Sequence, residues 1–151
     1  MINEKQMIVL KALRTDARTS LLNLSKKNNI SQSTVYDIHK KAEKYIHKYS
    51  ALLNFNKLGY KFHSFILIKN TKGNRLEIED YLLNHKNVNY LVKTYDYDFL
   101  CEVLFSSMLE SEKFSERMSD KYPTSEIIKF NVAEEVIREN FMVNGSSGSN
   151  K

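Results

Sequence analysis

Apolar residues recur at three- and four-residue intervals in the first third of the chain and at two-residue intervals beyond it, so two kinds of structure are expected in series. Over residues 3 to 17, Val9, Leu10, Leu13 and Ala17 fall on one helical face, and Asn3 with Gln6 has the spacing of a capping box. The segment DARTS interrupts this pattern. Ser20 can then cap a short second helix carrying Leu21, Leu22 and Leu24, which ends at the turn-prone pair Asn28 and Asn29. Ser31 can cap a third, in which Val35, Ile38, Ala42, Tyr45, Ile46 and Tyr49 form an inward stripe. Gln32, Ser33, Tyr36, Lys40, Lys41 and Lys44 stay outside that stripe. Three short helices with a tight second turn predict a helix-turn-helix head over residues 1–50.

After residue 50 the period becomes alternating. ALLNF and FHSFILIK are rich in aromatic and branched residues suited to strands, and TKGNR breaks the run. Ile78, Tyr81, Leu82 and His85 mark a helix face; VNYLVKT and FLCEVLF read as two strands joined by the YDYD turn. Ser107 and Glu110 can box a further helix with Phe114 and Met118 on one face, closed by Tyr122 and Pro123 before a last strand, EIIKFNVA. The order β-α-β-β-α-β gives a ferredoxin-like arrangement, with both helices on one face of an antiparallel sheet. Its other face would remain uncovered in a monomer, and apolar area of that size implies a partner. The expected division is a head over 1–50, a linker strand over 51–60, a ferredoxin-like dimerisation and effector domain over 61–143, and a flexible Gly/Ser-rich tail over 144–151. The fold class is therefore α+β.

Charge sharpens this division. The net charge is +5, and residues 1 to 50 hold ten Lys/Arg against four Asp/Glu, while the remainder is close to neutral. A basic module joined to a neutral one points to a polyanion, either nucleic acid or an anionic surface. The single Cys101 allows no internal disulfide, no Cys/His cluster has zinc-site spacing, and neither a cofactor nor a metal is expected. MINEKQMIVL lacks the features of an export signal and no uncharged apolar run is long enough to span a membrane, so a cytoplasmic protein is expected.

VLKALRTDARTSLLNLSKKNNISQSTV, SALLNFNKLGY and KTYDYDFLCEV together resemble the opening helices, linker strand and sheet turn of the Lrp/AsnC family, the leucine-responsive and asparagine-synthesis regulators. The resemblance covers nearly the whole chain. It implies a winged-helix DNA-binding domain, a ferredoxin-like domain that dimerises through its sheet, larger ring assemblies, and small effectors, often amino acids, bound between dimers. The third helix is about two residues shorter than the family pattern and lacks the Gly that normally follows it. Tyr95 stands where that pattern has Gly, beside the usual effector pocket, so the ring is expected to fill or reshape it. Tyr95, Asp96 and Asp98 are the effector-site candidates that follow.

The major groove admits one α-helix and displays a distinct donor and acceptor pattern for each base pair. Gln32, Ser33, Thr34 and Tyr36, with the capping Ser31, occupy the first turns of helix three, where base edges are normally met. Lys40, Lys41 and Lys44, with Lys26 and Lys27 at the end of helix two, are placed to meet phosphates. Asp37 precedes Lys40 and Lys41 by three and four residues and can pair with either, or accept from a cytosine amino group. Arg18 is a phosphate-contact candidate or a brace for the turn through Asp16. The expected function is a sequence-specific transcriptional regulator that binds double-stranded DNA as a homodimer or higher oligomer, with a possible amino-acid effector and no membrane. A non-specific architectural DNA-binding protein is the alternative. A ferredoxin-like enzyme and an RNA-binding module stand further off: the histidines are scattered, and the third strand lacks a basic-Gly-aromatic pattern.

Overall fold

The computed structural model describes residues 2–70, 73–123 and 125–139. The tail expected at 144–151 and the last residues of the expected sheet domain lie outside them. The chain divides into two compact units, Met1–Leu52 together with Ile137–Lys151, and Leu53–Val136.

Helices α1 (Glu4–Thr15), α2 (Leu21–Asn28) and α3 (Gln32–Ala42) build the first unit. Each starts where its cap predicts. Asn3 and Gln6 close a reciprocal box on α1, Ser20 accepts from the N–H of Asn23, and Ser31 accepts from the N–H of Thr34. Asn29 ends α2 in the left-handed conformation, at φ 51°, which asparagine tolerates better than most side chains. Val9, Leu13, Leu24, Val35 and Ile38 pack into one core, with Ala12, Leu21, Ile30 and Ile46 at its edge. Arg14 pairs with Glu139.

Three expectations for this unit are corrected. Helix α1 stops at Thr15, and Asp16 is extended, so Ala17 is exposed rather than on the apolar face. Helix α3 stops at Ala42 and gives way to a 3-10 turn over Glu43–Tyr45, which leaves Tyr45 and Tyr49 exposed and only Ile46 against the core. Tyr, Ile and His are middling helix formers, and of these residues only Ile46 finds a core to cover. Among its described residues this unit is helical, so the wing implied by the resemblance is not present there as a hairpin.

In the second unit β1 (Phe62–Asn70), α4 (Arg75–Leu83), β2 (Val88–Lys93), β3 (Phe99–Phe105), α5 (Met108–Lys121) and β4 (Ser125–Asn131) follow the expected order. The sheet runs β2-β3-β1-β4 with every neighbour antiparallel. Ile66 and Ile68 of β1, Phe99, Cys101, Val103 and Phe105 of β3, Ile78 and Leu82 of α4, and Phe114 and Met118 of α5 form its core. Both helices therefore lie on one face. By strand alternation the opposite face carries His63, Phe65 and Leu67 from β1, Leu100 and Glu102 from β3, and Ile128 and Phe130 from β4. Phe130 and Tyr90 are about half exposed there. In the middle of this face His63 Nε2 lies 2.8 Å from Glu102 Oε1, and the Asn89 amide donates to Glu102 Oε2.

The linker strand expected at 51–60 is not formed. A strand needs a ladder partner for its backbone groups, and residues 55 to 59 turn instead. The Tyr60 N–H donates to Phe55 O at 2.9 Å, the Asn54 side chain accepts from the N–H of Lys57, and Gly59 sits at φ 92°, a conformation that favours glycine. The box expected on α5 is also only half as expected. Ser107 accepts from the N–H of Glu110, but the Glu110 carboxylate reaches the hydroxyl and N–H of Ser106, which hold its pKa below the ordinary value.

Candidate nucleic-acid interface

Helix α3 presents one face to its own core through Val35, Ile38 and Ala42, and this fixes what the other face offers. Gln32, Ser33, Tyr36, Lys40 and Lys41 are all exposed, in the order polar first and basic last. Tyr36 is an exposed aromatic in the second turn. Neither Gln32 nor Tyr36 spends its hydrogen-bonding groups on the chain among the described residues, so both are available to a ligand.

The serine and threonine candidates are placed differently. Ser31 Oγ accepts from the Thr34 N–H at 3.3 Å and lies 2.6 Å from Thr34 Oγ1 and 3.2 Å from Ser33 Oγ. Thr34 is half-buried. These three hydroxyls chiefly start the helix, which leaves Gln32 and Tyr36 as the groups of its first two turns open to a ligand.

Lys26 and Lys27 are exposed in the last turn of α2, beside the turn that leads into α3. Lys40 and Lys41 are exposed in the last turn of α3 itself. Lys44 does not continue that helix as the sequence suggested. It lies on the following 3-10 turn, with its ammonium 5.0 Å from the Tyr45 ring centroid. The expected pairing of Asp37 with Lys40 or Lys41 is absent among the described ion pairs, and Asp37 is exposed. At the α1–α2 turn, Asp16 accepts from the backbone N–H of Arg18 at 2.9 Å, so the backbone of Arg18 does the bracing and its exposed guanidinium remains available to a phosphate.

The effector candidates sit on the β2–β3 turn of the second unit. Tyr95 is fully exposed and fills no space within its own chain. Asp96 is exposed. Asp98 is structural: its N–H donates to Ile68 O, its carboxylate accepts the Asn70 N–H at 2.7 Å, and it pairs with Arg75 at 3.3 Å. Two concave surfaces lie elsewhere, between α4 and α5, lined together by Glu77, Asp80, Tyr81, Asn84, His85, Arg117, Asp120 and Lys121. Sequence reading missed this groove. Its signal was the pairing of Tyr81 with His85 and of Arg117 with Lys121, each one helical turn apart.

Burial pushes the Cys101 thiol up to about 12, so it remains protonated and a poor nucleophile. No described helix is long and apolar enough to cross a membrane.

Three short helices with a tight second turn, followed by a ferredoxin-like sheet unit, make a two-part fold that known proteins share. No family model matches the chain. It is 29% identical over 144 residues, 93% of this chain and 96% of the relative, to the uncharacterized HTH-type transcriptional regulator PF1734 of Pyrococcus furiosus. It is 28% identical over 116 residues, 75% of this chain and 77% of the relative, to the HTH-type transcriptional regulator FL11 of Pyrococcus abyssi. Among solved structures it resembles LrpC of B. subtilis, with a TM-score of 0.81 at 16% identity, covering 91% of this chain and 98% of that one. It also resembles the transcriptional regulator NMB0573 of Neisseria meningitidis in its L-Met complex, with a TM-score of 0.82 at 17% identity, covering 91% and 94%. The Lrp/AsnC resemblance therefore holds: the fold is that of these regulators, and the sequence relatives are helix-turn-helix transcriptional regulators.

Proposed function

We infer that the chain is a DNA-binding transcriptional regulator of the Lrp/AsnC type that reads double-stranded DNA through α3. The observation that carries this is the division of the exposed α3 face, with Gln32 and Tyr36 unspent in the first two turns and Lys40 and Lys41 behind them. Short, weakly charged hydrogen-bonding groups suit base edges, while lysines suit phosphates and supply affinity without sequence information. Lys26, Lys27, Lys44 and Arg18 extend the holding set. The charge supports the assignment, because all of the basic excess lies in residues 1 to 50.

The second unit assembles copies. Its uncovered sheet face, rich in Phe, Leu and Ile, pairs with the same face of a second chain, and a two-fold dimer of this kind copies its symmetry into a palindromic operator. Within one chain Tyr95 and Asp96 stand exposed on their turn, so an amino-acid effector there takes further residues from another copy. The protein works in the cytoplasm and catalysis is not part of its role.

Selection of sites from random duplex DNA by the purified protein tests the reading, with single-stranded RNA as competitor. Enrichment of a palindrome with half-sites about one helical turn apart is expected. Duplex binding with no enriched sequence would leave an architectural protein instead. Preference for the RNA would remove the DNA reading altogether.

A further inference from the structure

The basic character of the head does not stop where α3 stops. Residues 40–49 carry Lys40, Lys41, Lys44 and Lys48, together with His47, against the single carboxylate of Glu43. Helix α3 accounts for the first two lysines. The others lie on the 3-10 turn and on the segment after it, which forms neither helix nor strand and belongs to the first unit. Lys44, Tyr45, His47, Lys48 and Tyr49 are all exposed, with about half of each tyrosine open to solvent. Lys44 and Lys48 have no carboxylate partner among the described ion pairs.

This strap is tied to the head at three points. Ile46 is half-buried and packs against the core built from Val9, Leu13, Leu24, Val35 and Ile38. The Tyr49 hydroxyl lies 3.4 Å from His39 Nε2 on α3, and Glu43 lies 3.6 Å from His39 Nδ1. His39 thereby holds both ends of the strap to α3 and engages the one carboxylate of the stretch. At its start the Lys44 ammonium lies 5.0 Å from the Tyr45 ring centroid. A segment anchored in this way loses little further freedom when it meets a ligand.

The first turns of a recognition helix meet base edges, and its C-terminal end is the end that can meet the backbone. A strap that runs on from that end comes to phosphates beside the half-site rather than to bases within it. Ile46 is extended, at φ −100° and ψ 116°, and the three residues after it span at most about 10 Å, the length of about three base pairs. We propose that residues 44–49 make a second DNA contact, along the sugar-phosphate backbone just outside the half-site met by α3. Lys44 and Lys48 pair with phosphates, the Tyr45 hydroxyl donates to a phosphate oxygen, and Tyr49 positions the strap through His39. This rests on the reading of α3 as the recognition helix. Four lysines against one carboxylate select a polyanion, and their continuity with Lys40 and Lys41 selects the same duplex. Such a contact carries no sequence information, so flanking DNA of any sequence strengthens binding.

Fluorescence anisotropy of the full-length protein on two lengths of the selected operator tests this. One duplex stops at the outer edges of the half-sites, and the other continues for about six base pairs of arbitrary sequence at each end, twice the reach of the strap. The unsubstituted protein should bind the longer duplex about tenfold or more tightly, with a log-log salt slope steeper by about 2 or more, since each phosphate contact contributes about 0.9. Lys44→Ala combined with Lys48→Ala should lose most of that gain in both readouts, and Tyr49→Phe part of it. Lys26→Ala, on α2, should weaken both duplexes and keep the gain. All of these positions are exposed, so the fold is kept. An operator preferred over a scrambled duplex but bound equally at both lengths would overturn the strap and leave the reading of α3 standing, as would a length gain that survives the double variant. If no operator is enriched, the reading of α3 fails. The strap then stands only if the double variant lowers the salt slope on an arbitrary long duplex, and an unchanged slope overturns it as well.

Discussion

The two units solve different problems with different means. The first holds three short helices on a core of Val9, Leu13, Leu24, Val35 and Ile38, and each helix depends on a side-chain cap at its start. The second spreads its core over four strands and two helices, with pairings such as Ile66 opposite Cys101 and Lys129 that join distant parts of the chain. A small core of local contacts leaves most of its surface free for a ligand, at the cost of a thin stability margin. A large non-local core secures a sheet whose second face is left for the pairing of copies inferred above. Recognition and assembly should therefore be separable by substitution.

Phe99→Ala, in the fully buried centre of the sheet unit, should destabilise that unit by about 3–5 kcal/mol. In urea unfolding followed by circular dichroism and by sedimentation, assembly should fail at a lower denaturant concentration. Leu24→Ala should cost the head about 2–5 kcal/mol. Because its margin is smaller, duplex binding in a gel shift should fall sharply while the assembly state is unchanged. If Leu24→Ala dissolved the assembly as well, the two units would not be independent.

Ser31→Ala removes the cap of α3 and should cost about 0.5–2 kcal/mol, seen as an earlier thermal transition of the head alone. The smallest effect concerns His85. Its pKa in the folded chain is lowered from the ordinary 6.5 by burial, so the unfolded chain takes up the proton more readily. The stability of the sheet unit should be fully present above pH 6.5 and fall as the pH drops towards the lower folded value. In His85→Phe this acid loss should flatten in a pH series of unfolding midpoints, with the head unaffected.

How much of this was legible follows the same contrast. The element order of both units could be read from period and caps, because Asn3, Ser20, Ser31 and Ser107 begin helices by local hydrogen bonds that the sequence displays directly. Segments with strand-like or helix-like patterning but nothing in the chain to receive them were read poorly. The 51–60 segment has strand-like composition but no ladder within one chain, and Tyr45 and Tyr49 continue the α3 stripe past the point where any core remains to receive them. The interface was half legible: exposure of Gln32, Tyr36, Lys40 and Lys41 follows from helical spacing, but the mutual engagement of the Ser31, Ser33 and Thr34 hydroxyls does not. At the β2–β3 turn the spacing of Asp96 and Asp98 suggested two like carboxylates, whereas only the fold shows that Asp98 is tied to Asn70 and Arg75. The groove escaped because it joins helices more than thirty residues apart.

The sharpest test of the head is a salt titration of affinity for the selected operator and for a scrambled duplex, run on the unsubstituted protein, Tyr36→Ala and Lys40→Ala. Lys40→Ala should weaken binding to both duplexes alike and lower the log-log salt slope by about 0.9. Tyr36→Ala should reduce discrimination between the two by about 1–3 kcal/mol and leave the slope unchanged. Equal losses on both duplexes from both substitutions, with the same change in slope, would contradict the division of α3 into a reading end and a holding end.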